Sequence, residues 1–251
     1  MFITIEGIDG AGKTTQAKLL SEYIAKNIIL TNELDSKPNA KNIILTNEPN
    51  DGRFDANYNH NSNTIEKMTL GQVVRSLISA KDEIDETTRL LLIYAARRKH
   101  VENVINPALK DGKIIICDRF YDSSIAYFGY KEEIGFEKAK EFTDFLHNNT
   151  IQNRKMPDLT FYIDVEPRVA SKRIKQRDSF GDLGKMDNLD RMGETDVNKI
   201  GKIFTQLVES DKKRCVKIQG NGKRSVEEIH EEIKKIARER IEEAGKFTFL
   251  I

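Results

Sequence analysis

Residues 2–14 read FITIEGIDGAGKT, and this stretch decides the fold. The apolar run Phe2–Glu6 predicts a short strand, and apolar residues then recur at helical spacing from Thr14 to Lys26. Between strand and helix, Gly7 to Thr14 match G-x-x-x-x-G-K-[ST] in full. A glycine-rich loop in that position predicts a phosphate-binding P-loop.

A P-loop binds phosphate because its backbone N–H groups turn inward and the following helix presents the positive end of its dipole. Lys13 is expected to reach the β- and γ-phosphates, and the Thr14 hydroxyl to bind Mg²⁺. The predicted nucleotide-binding residues are Gly7, Gly10, Ala11, Gly12, Lys13, Thr14 and Thr15. A GTPase is excluded because no guanine-reading N-K-x-D follows a strand.

The rest of the chain alternates predicted strands and helices. Further strands are predicted at Lys113–Cys117, Leu159–Val165 and Cys215–Gln219. Helices are predicted at Leu70–Ile78, at Thr87–Leu109 with a kink or end near Pro107, and from a capping box at Ser225 onward. These strands are apolar enough to be buried on both faces. We therefore predict a single α/β domain, doubly wound, with a five-stranded parallel sheet and helices on both faces.

The octapeptide KNIILTNE occurs twice, at 26–33 and at 41–48. Two copies are too few for a solenoid, so a local duplication is predicted. The second copy is expected to supply the sheet strand, and the first a surface extension or an extra edge strand. Two unpatterned segments are predicted as a flexible insertion, about 50–69, and as a mobile lid, about 173–195. A partner-binding role for the insertion stays open beside simple disorder.

Composition excludes several classes of protein. The 251 residues carry 41 Lys and Arg against 40 Asp and Glu, so the cationic face of a nucleic-acid-binding protein is not expected. The longest apolar run, Leu90 to Ala96, is far short of the roughly 20 residues of a membrane span, and no signal peptide is visible. Cys117 and Cys215 are interpreted as reduced core residues of a cytoplasmic protein, with a disulfide or redox pair as alternatives.

The charged residues near the predicted sheet edge favour phosphoryl transfer to an acceptor that already carries a phosphate. Asp118 ends a predicted strand beside the P-loop and could hold Mg²⁺ or its waters. Arginines that could bind phosphate bidentately are Arg75, Arg97, Arg98, Arg119, Arg173, Arg177 and Arg191. An ionised phosphate needs no general base, only cancellation of anionic repulsion, so the missing Ser-His-Asp pattern is no obstacle.

Several motifs in order resemble the thymidylate kinase family of P-loop nucleoside monophosphate kinases. They are FITIEGIDGAGKTTQAKLL, Thr46-Asn47-Glu48-Pro49, LGQVVRSLI, YAARRKHVENVINPALKDG, CDRFYDSSIAYFGY and PDLTFYIDV followed by RIKQRD. The resemblance implies ATP and Mg²⁺ as cofactors, dTMP as acceptor and a homodimer. Helix Thr87–Leu109 could contribute to that dimer or serve only the core.

The resemblance also assigns site residues. It implies that Asp9 contacts the acceptor 3′-hydroxyl, that Arg75 and Arg119 bind the acceptor phosphate, and that Arg97 reaches the base. Tyr127 would disfavour ribose, and Pro49 would lie beside the base. The implied dTMP-binding residues are Asp9, Glu48, Pro49, Arg75, Ile93, Arg97, Arg119, Ser124, Tyr127 and Phe128, and the catalytic residues are Lys13, Arg119 and Arg177.

Gly10 stands where some family members carry arginine. Members with glycine at this position resemble the group in which the lid supplies that arginine instead. Arg177 and Arg191 are therefore the lid candidates for ATP.

Ile93 occupies the position of an aromatic residue that stacks on thymine, so selectivity for the base could be relaxed or moved to Phe128. Two alternatives remain: a kinase for dUMP or a deoxynucleoside, in which Glu48 would be the base, and a non-catalytic ATP-binding protein.

Overall fold

A five-stranded parallel sheet forms the centre of the molecule. The computed structural model describes residues 1–30, 40–49, 68–79, 84–179, 192–221, 224–245 and 247–249. The strands of the sheet, in spatial order, are β3 (Ile43–Asn47), β4 (Ile114–Asp118), β1 (Phe2–Glu6), β5 (Leu159–Asp164) and β6 (Cys215–Gln219). All four neighbouring pairs are parallel, which confirms the predicted doubly wound sheet.

The central strands of the sheet are buried because helices cover both of its faces. Every residue of β1 and β4 is buried, as fully covered parallel strands require. The helices are α1 (Lys13–Asn27), α2 (Leu70–Ser79), α3 (Glu86–His100), α4 (Asn106–Lys110), α5 (Tyr121–Gly129), α6 (Gly135–Thr150), α7 (Pro167–Ser179), α8 (Glu194–Ser210) and α9 (Val226–Glu243). The carboxyl ends of β1 and β4 meet at one edge, which places the P-loop beside Asp118.

The predicted start of the last helix is confirmed. Ser225 and Glu228 form the capping box that starts α9. Pro107, in contrast, does not end the helical run. Five π-helical residues, Val101–Ile105, follow α3 directly, and Asn106 N–H donates to the Val101 carbonyl. This wider turn changes the bonding register just before Pro107, whose missing N–H then falls in the first turn of α4, where it is tolerated.

The two copies of KNIILTNE have different structures. The second copy supplies β3, as predicted, at an edge of the main sheet. The first contributes β2 (Ile28–Leu30), which pairs antiparallel with β7 (Phe247–Phe249) in a separate two-stranded sheet. Tyr23 of α1 stacks on Phe249 with ring centroids 5.5 Å apart, so the C-terminal strand packs against α1. The extra strand is therefore present but does not extend the main sheet.

Three further expectations concern the chain as a whole. Cys117 and Cys215 are buried free thiols, which confirms their assignment to the core and excludes the disulfide. Among the described ranges, no helix is both long and apolar enough to cross a membrane. Most of the predicted insertion, 50–67, and of the predicted lid, 180–191, lies outside the described residues.

His147 of α6 makes folding stability depend on pH. Its ring lies edge-on to the rings of Tyr94, Phe120 and Tyr121, and Nε2 donates to the Lys155 carbonyl at 3.0 Å. Burial, with the nearby Arg97 charge, lowers the pKa of His147 to about 4. The unfolded chain therefore binds the proton that the folded chain excludes, so this contribution is complete above about pH 6.5 and is lost as the pH falls toward 4.

We expect His147→Gln to reduce this acid destabilisation, because glutamine can still donate to the Lys155 carbonyl but does not ionise. Between pH 7 and pH 5, the free energy of unfolding of the unmodified chain should fall by about 2 kcal/mol more than that of the variant. Urea denaturation at the two pH values measures this difference. Other ionisable groups titrate in both proteins, so an identical pH dependence would contradict the assignment to His147.

Candidate active site

The loop between β1 and α1 borders a cleft of about 440 Å³. Residues 9–15 line one side, and Arg173, Ile174, Val226 and Ile229 of α7 and α9 line the other. A cleft of this volume is in the range of ligand sites for small molecules. Gly12 forms the N-cap of α1 with φ +94°, so the helix begins at the loop and directs its first N–H groups toward the cleft.

Lys13 and Thr14 present the charged and polar groups of this loop. Lys13 is buried, and its Nζ donates to the Ile8 carbonyl at 2.8 Å. Desolvation and the nearby Arg119 charge lower the pKa of Lys13 to about 8, against the opposing effect of Asp9 and Asp118. Thr14 donates its hydroxyl proton to Asp118 Oδ2. Asp118 Oδ1 is buried and has no hydrogen-bond partner, so the pair has oxygen ligands suited to Mg²⁺.

Asp9 connects the loop to a second cationic group on the other side. Its carboxylate accepts hydrogen bonds from Arg119 Nη2 and from the Tyr127 hydroxyl at 3.2 Å, and it lies 3.7 Å from Lys13 Nζ. Burial alone would raise its pKa, but the charges of Arg119, Lys13 and Arg75 hold the pKa of Asp9 well below its usual range. Asp9 is therefore an anion that holds the two cations on either side of it.

Arg119 is held by contacts on all sides. Nη1 donates to the Gly7 carbonyl at 3.1 Å and to Ser123 Oγ at 3.0 Å, and the guanidinium lies 4.9 Å from the centroid of the Tyr127 ring. Its backbone is left-handed, with φ +70°, at the junction of β4 and α5. This conformation costs about 1–2 kcal/mol for a residue other than glycine. The surrounding contacts therefore fix the side chain in one place.

A second buried cluster surrounds Arg97. Its Nε donates to Glu48 Oε2 at 2.7 Å, and Nη2 donates to the Phe120 carbonyl and to Ser124 Oγ. The remaining amino group, Nη1, is buried without a hydrogen-bond partner. An unpartnered buried donor is costly unless a ligand or a shift of its neighbours supplies an acceptor.

Sequence comparison with known proteins identifies the family of this chain. The thymidylate kinase family model matches residues 5–54 and 57–233. The chain belongs to the thymidylate kinase family. The thymidylate kinase of Clostridium novyi (strain NT) is 32% identical over 238 residues, covering 93% of this chain and 96% of the relative. That of Thermosipho africanus is 33% identical over 248 residues, covering 96% and 100%.

A solved structure gives the same result for the fold. The crystal structure of thymidylate kinase from Ehrlichia chaffeensis superposes with a TM-score of 0.63 at 30% identity, covering 94% of this chain and 97% of that one. The chain thus has the P-loop fold of this family of ATP-dependent nucleoside monophosphate kinases. The expected family and fold are both confirmed.

The structure brings together most of the side chains that the resemblance assigned. Around the P-loop lie Asp9, Lys13, Thr14, Asp118, Arg119 and Tyr127, with the Arg75 charge near enough to affect Asp9. Glu48, Arg97 and Ser124 form the neighbouring cluster, with buried Pro49 next in the chain. The exposed Thr15 lines the cleft with Ala11.

Two predicted residues lie apart from these clusters, and two others are not described. Ile93 packs against the small cluster of Val74, Ile78 and Ala96 between α2 and α3. Phe128 is buried against Phe142, with ring centroids 5.7 Å apart, and does not belong to the Asp9 or Arg97 clusters. Arg177 belongs to α7, but its side chain, like all of Arg191, lies outside the described residues.

Sequence reasoning missed three residues that hold the site. Glu6 and Ser123 contact the turn that carries Arg119. His100 shares a hydrogen bond with the Thr46 hydroxyl, and its Nδ1 lies 3.2 Å from Glu48 Oε1. Glu6 carried a signal, because a carboxylate inside a buried apolar strand needs a specific partner. Ser123 and His100 carried none, since serine and histidine occur in many helices.

Gly10 offers a prediction that follows from close packing. A Cβ there would lie 2.4 Å from the Ala170 carbonyl oxygen of α7, so even alanine displaces the loop. We expect Gly10→Ala to lower kcat at least about tenfold, because small misplacements of reacting groups are costly. Gly112→Ala is the matched control, with φ +75° against +78° and nothing within 4 Å of its Cβ. Equal activity of the two variants, measured as ADP release, would contradict this role for the Gly10 contact.

Proposed function

We propose that this chain transfers the γ-phosphoryl group of ATP to dTMP, giving dTDP and ADP. The observation that carries the proposal is the contact of Asp9 with both Lys13 and Arg119, which holds the phosphate-loop lysine beside a fixed arginine. Two cations side by side can bind two phosphates in line and cancel their repulsion. The family membership supports this donor and this acceptor.

The P-loop binds the donor. Its N–H groups and Lys13 bind the phosphates of ATP, and the phosphate charge keeps Lys13 protonated although burial lowers its pKa to about 8. Thr14 and Asp118 are the residues that would hold Mg²⁺, since Asp118 Oδ1 is buried without a partner. Mg²⁺ held by these residues would supply positive charge that offsets the charge of the ATP phosphates. In the predicted lid, Arg177 and Arg191 would add positive charge and exclude water from ATP.

Arg119 and Arg75 bind the acceptor phosphate. Asp9 accepts from the sugar 3′-hydroxyl, and Tyr127, in contact with Asp9, disfavours a 2′-hydroxyl by occupying space. The free Nη1 of Arg97 donates to a carbonyl of the base, beside Glu48, Pro49 and Ser124. Ile93 and Phe128 would act through packing around this pocket.

The state of Glu48 favours a monophosphate over a nucleoside acceptor. Both of its carboxylate oxygens are engaged, one by Arg97 Nε at 2.7 Å and one by His100 Nδ1 at 3.2 Å. Both oxygens would have to give up a partner, or share it, before Glu48 could accept a proton from a nucleoside hydroxyl. The phosphate of dTMP is already ionised and needs no base, so the described site fits it better than thymidine.

Product identification tests the proposal. The protein is incubated with Mg·ATP and with dTMP, thymidine or no acceptor, and the products are identified by mass spectrometry. We expect dTDP and ADP in equal amounts with dTMP, and only traces of product in the other two reactions. Formation of dTMP from thymidine would instead support a nucleoside kinase. Absence of product from protein that binds ATP would support a non-catalytic role.

We also propose that the chain forms a homodimer through α2, α3 and α6. These neighbouring helices carry large apolar side chains that are 42–60% exposed: Leu70, Leu77, Leu91 and Phe145. Large apolar side chains exposed on adjacent helices favour an interaction surface.

The free buried thiols and the use of ATP support a reducing, cytoplasmic location.

Changing this surface is expected to separate the subunits. The combined Leu91→Asp and Phe145→Asp variant should run as a monomer in size-exclusion chromatography with light scattering, because burying two new carboxylates is unfavourable. The Lys99→Asp variant changes an exposed residue of α3 that does not belong to the apolar set. It serves as a control for added negative charge and should keep the mass of the unmodified protein. A monomeric unmodified protein would contradict the dimer.

A further inference from the structure

Glu6 is a fully buried carboxylate for which the proposed reaction has no direct use. It is the last residue of β1, directly before the P-loop, and its side chain is 0% exposed. Burying a carboxylate is costly unless both oxygens accept hydrogen bonds. Its position therefore depends on specific donors, and the identity of those donors shows what it holds.

Both donors belong to the turn that carries Arg119. Phe120 N–H donates to Glu6 Oε1 at 2.7 Å, and the Ser123 hydroxyl donates to Glu6 Oε2 at 2.5 Å. Phe120 is the N-cap residue of α5 and makes no side-chain capping hydrogen bond. Glu6 thus fixes, from 114 residues away in sequence, the backbone immediately after the left-handed Arg119.

The Ser123 hydroxyl transmits the effect to the guanidinium. A hydroxyl has a single proton, and here it is directed to Glu6. The oxygen lone pairs then face Arg119, whose Nη1 donates to Ser123 Oγ at 3.0 Å. With a donor in place of Glu6 Oε2, the serine proton would turn toward Arg119 and this hydrogen bond would be lost.

We propose that Glu6 is a positioning residue that holds Arg119 in line with the acceptor phosphate, acting through Ser123 and the Phe120 N–H group. The inference rests on the proposed function, since Arg119 is taken to bind the acceptor. Glu6 contacts neither nucleotide itself. It supplies the hydrogen bonds that keep the left-handed turn and the guanidinium in one arrangement before substrate arrives.

The test uses Glu6→Gln in the full-length protein. Glutamine has nearly the same shape but offers an amide donor where Glu6 Oε2 accepts. We expect kcat to fall about tenfold or more and the Kd for dTMP without ATP to rise by a similar factor, because hydrogen bonds to charged groups are lost. The Kd for ATP should change less than about twofold, since the P-loop contacts remain. Glu102→Gln, an exposed carboxylate paired with Lys99, should change neither constant.

A double-mutant cycle separates positioning from general damage. If Glu6 acts through Ser123, the Glu6→Gln substitution should cost much less in a Ser123→Ala background than in the unmodified chain. Fully additive effects would contradict the relay. A folded Glu6→Gln protein with kcat and dTMP affinity within about twofold of the unmodified chain would overturn the proposal.

The outcome stays interpretable if Glu6→Gln does not fold. Ser123→Ala alone is then measured, and an unchanged dTMP affinity there would overturn the relay. Failure of the proposed function is a different result, because the unmodified protein would then show no dTMP-dependent ADP release at all.

Discussion

Replacing Lys13 with alanine is expected to abolish phosphoryl transfer. Lys13 is the buried cation of the P-loop. Its ammonium group is held by the Ile8 carbonyl at 2.8 Å and by the Asp9 carboxylate at 3.7 Å. Stabilisation of transferring charge by a fixed cation is worth about a thousandfold or more in rate. We therefore expect kcat with dTMP to fall at least about a thousandfold.

The control for this variant is Lys18→Ala, which removes an exposed lysine from the same helix. It should keep kcat within about twofold, since surface charges contribute little. Both variants should unfold cooperatively on heating, as a check that each is folded. A Lys13→Ala protein that retained turnover near that of the Lys18→Ala protein would remove the P-loop mechanism.

Replacing Arg119 with lysine is expected to lower kcat about a hundredfold, although the charge is kept. Lysine cannot donate at once to the Gly7 carbonyl, Ser123 and Asp9, as the guanidinium does. Its single ammonium also cannot present a planar pair of donors to a phosphate. The loss should appear in kcat and in dTMP affinity, while ATP affinity is largely kept.

Arg154→Lys is a matched control for the backbone. Arg154 is also left-handed, with φ +49°, but it is exposed and outside the site. If the substitution of arginine at a strained position were itself damaging, both variants would lose activity. We expect only Arg119→Lys to do so in steady-state kinetics with varied dTMP. Similar rates for Arg119→Lys and the unmodified chain would contradict its assignment to the acceptor phosphate.

The main sheet could be predicted from the sequence because its strands are nearly continuous apolar runs. β1 and β6 have the predicted bounds, whereas β4 is displaced by one residue, because Asp118 pairs with Asn47 and Ile5 through its backbone. β7 was not predicted. Three residues carry too little periodicity, and their strand exists only because the duplicated segment pairs with them.

The site divides in a similar way. The P-loop can be predicted because its residues are contiguous in sequence. Asp118 is expected beside it because adjacent parallel strands end at the same edge of the sheet. The hydrogen bond between Ser123 and Glu6 joins residues 117 positions apart and depends on the direction of one hydroxyl proton. Sequence patterning contains no information about either. The burial of Phe128 against Phe142 likewise depends on how α5 packs on α6.

The most direct test of the central claim is the initial rate of ADP release with Mg·ATP and each of dTMP, dUMP, dCMP, dGMP, AMP and UMP. A donor from Arg97 Nη1 predicts a preference for pyrimidines with a 4-carbonyl, thymine and uracil, over cytosine with its 4-amino group, and Tyr127 predicts deoxyribose over ribose. We expect dTMP to give the highest kcat/KM, with dCMP and UMP at least about tenfold lower. No acceptor-stimulated release, from protein shown to bind ATP, would contradict the proposed function.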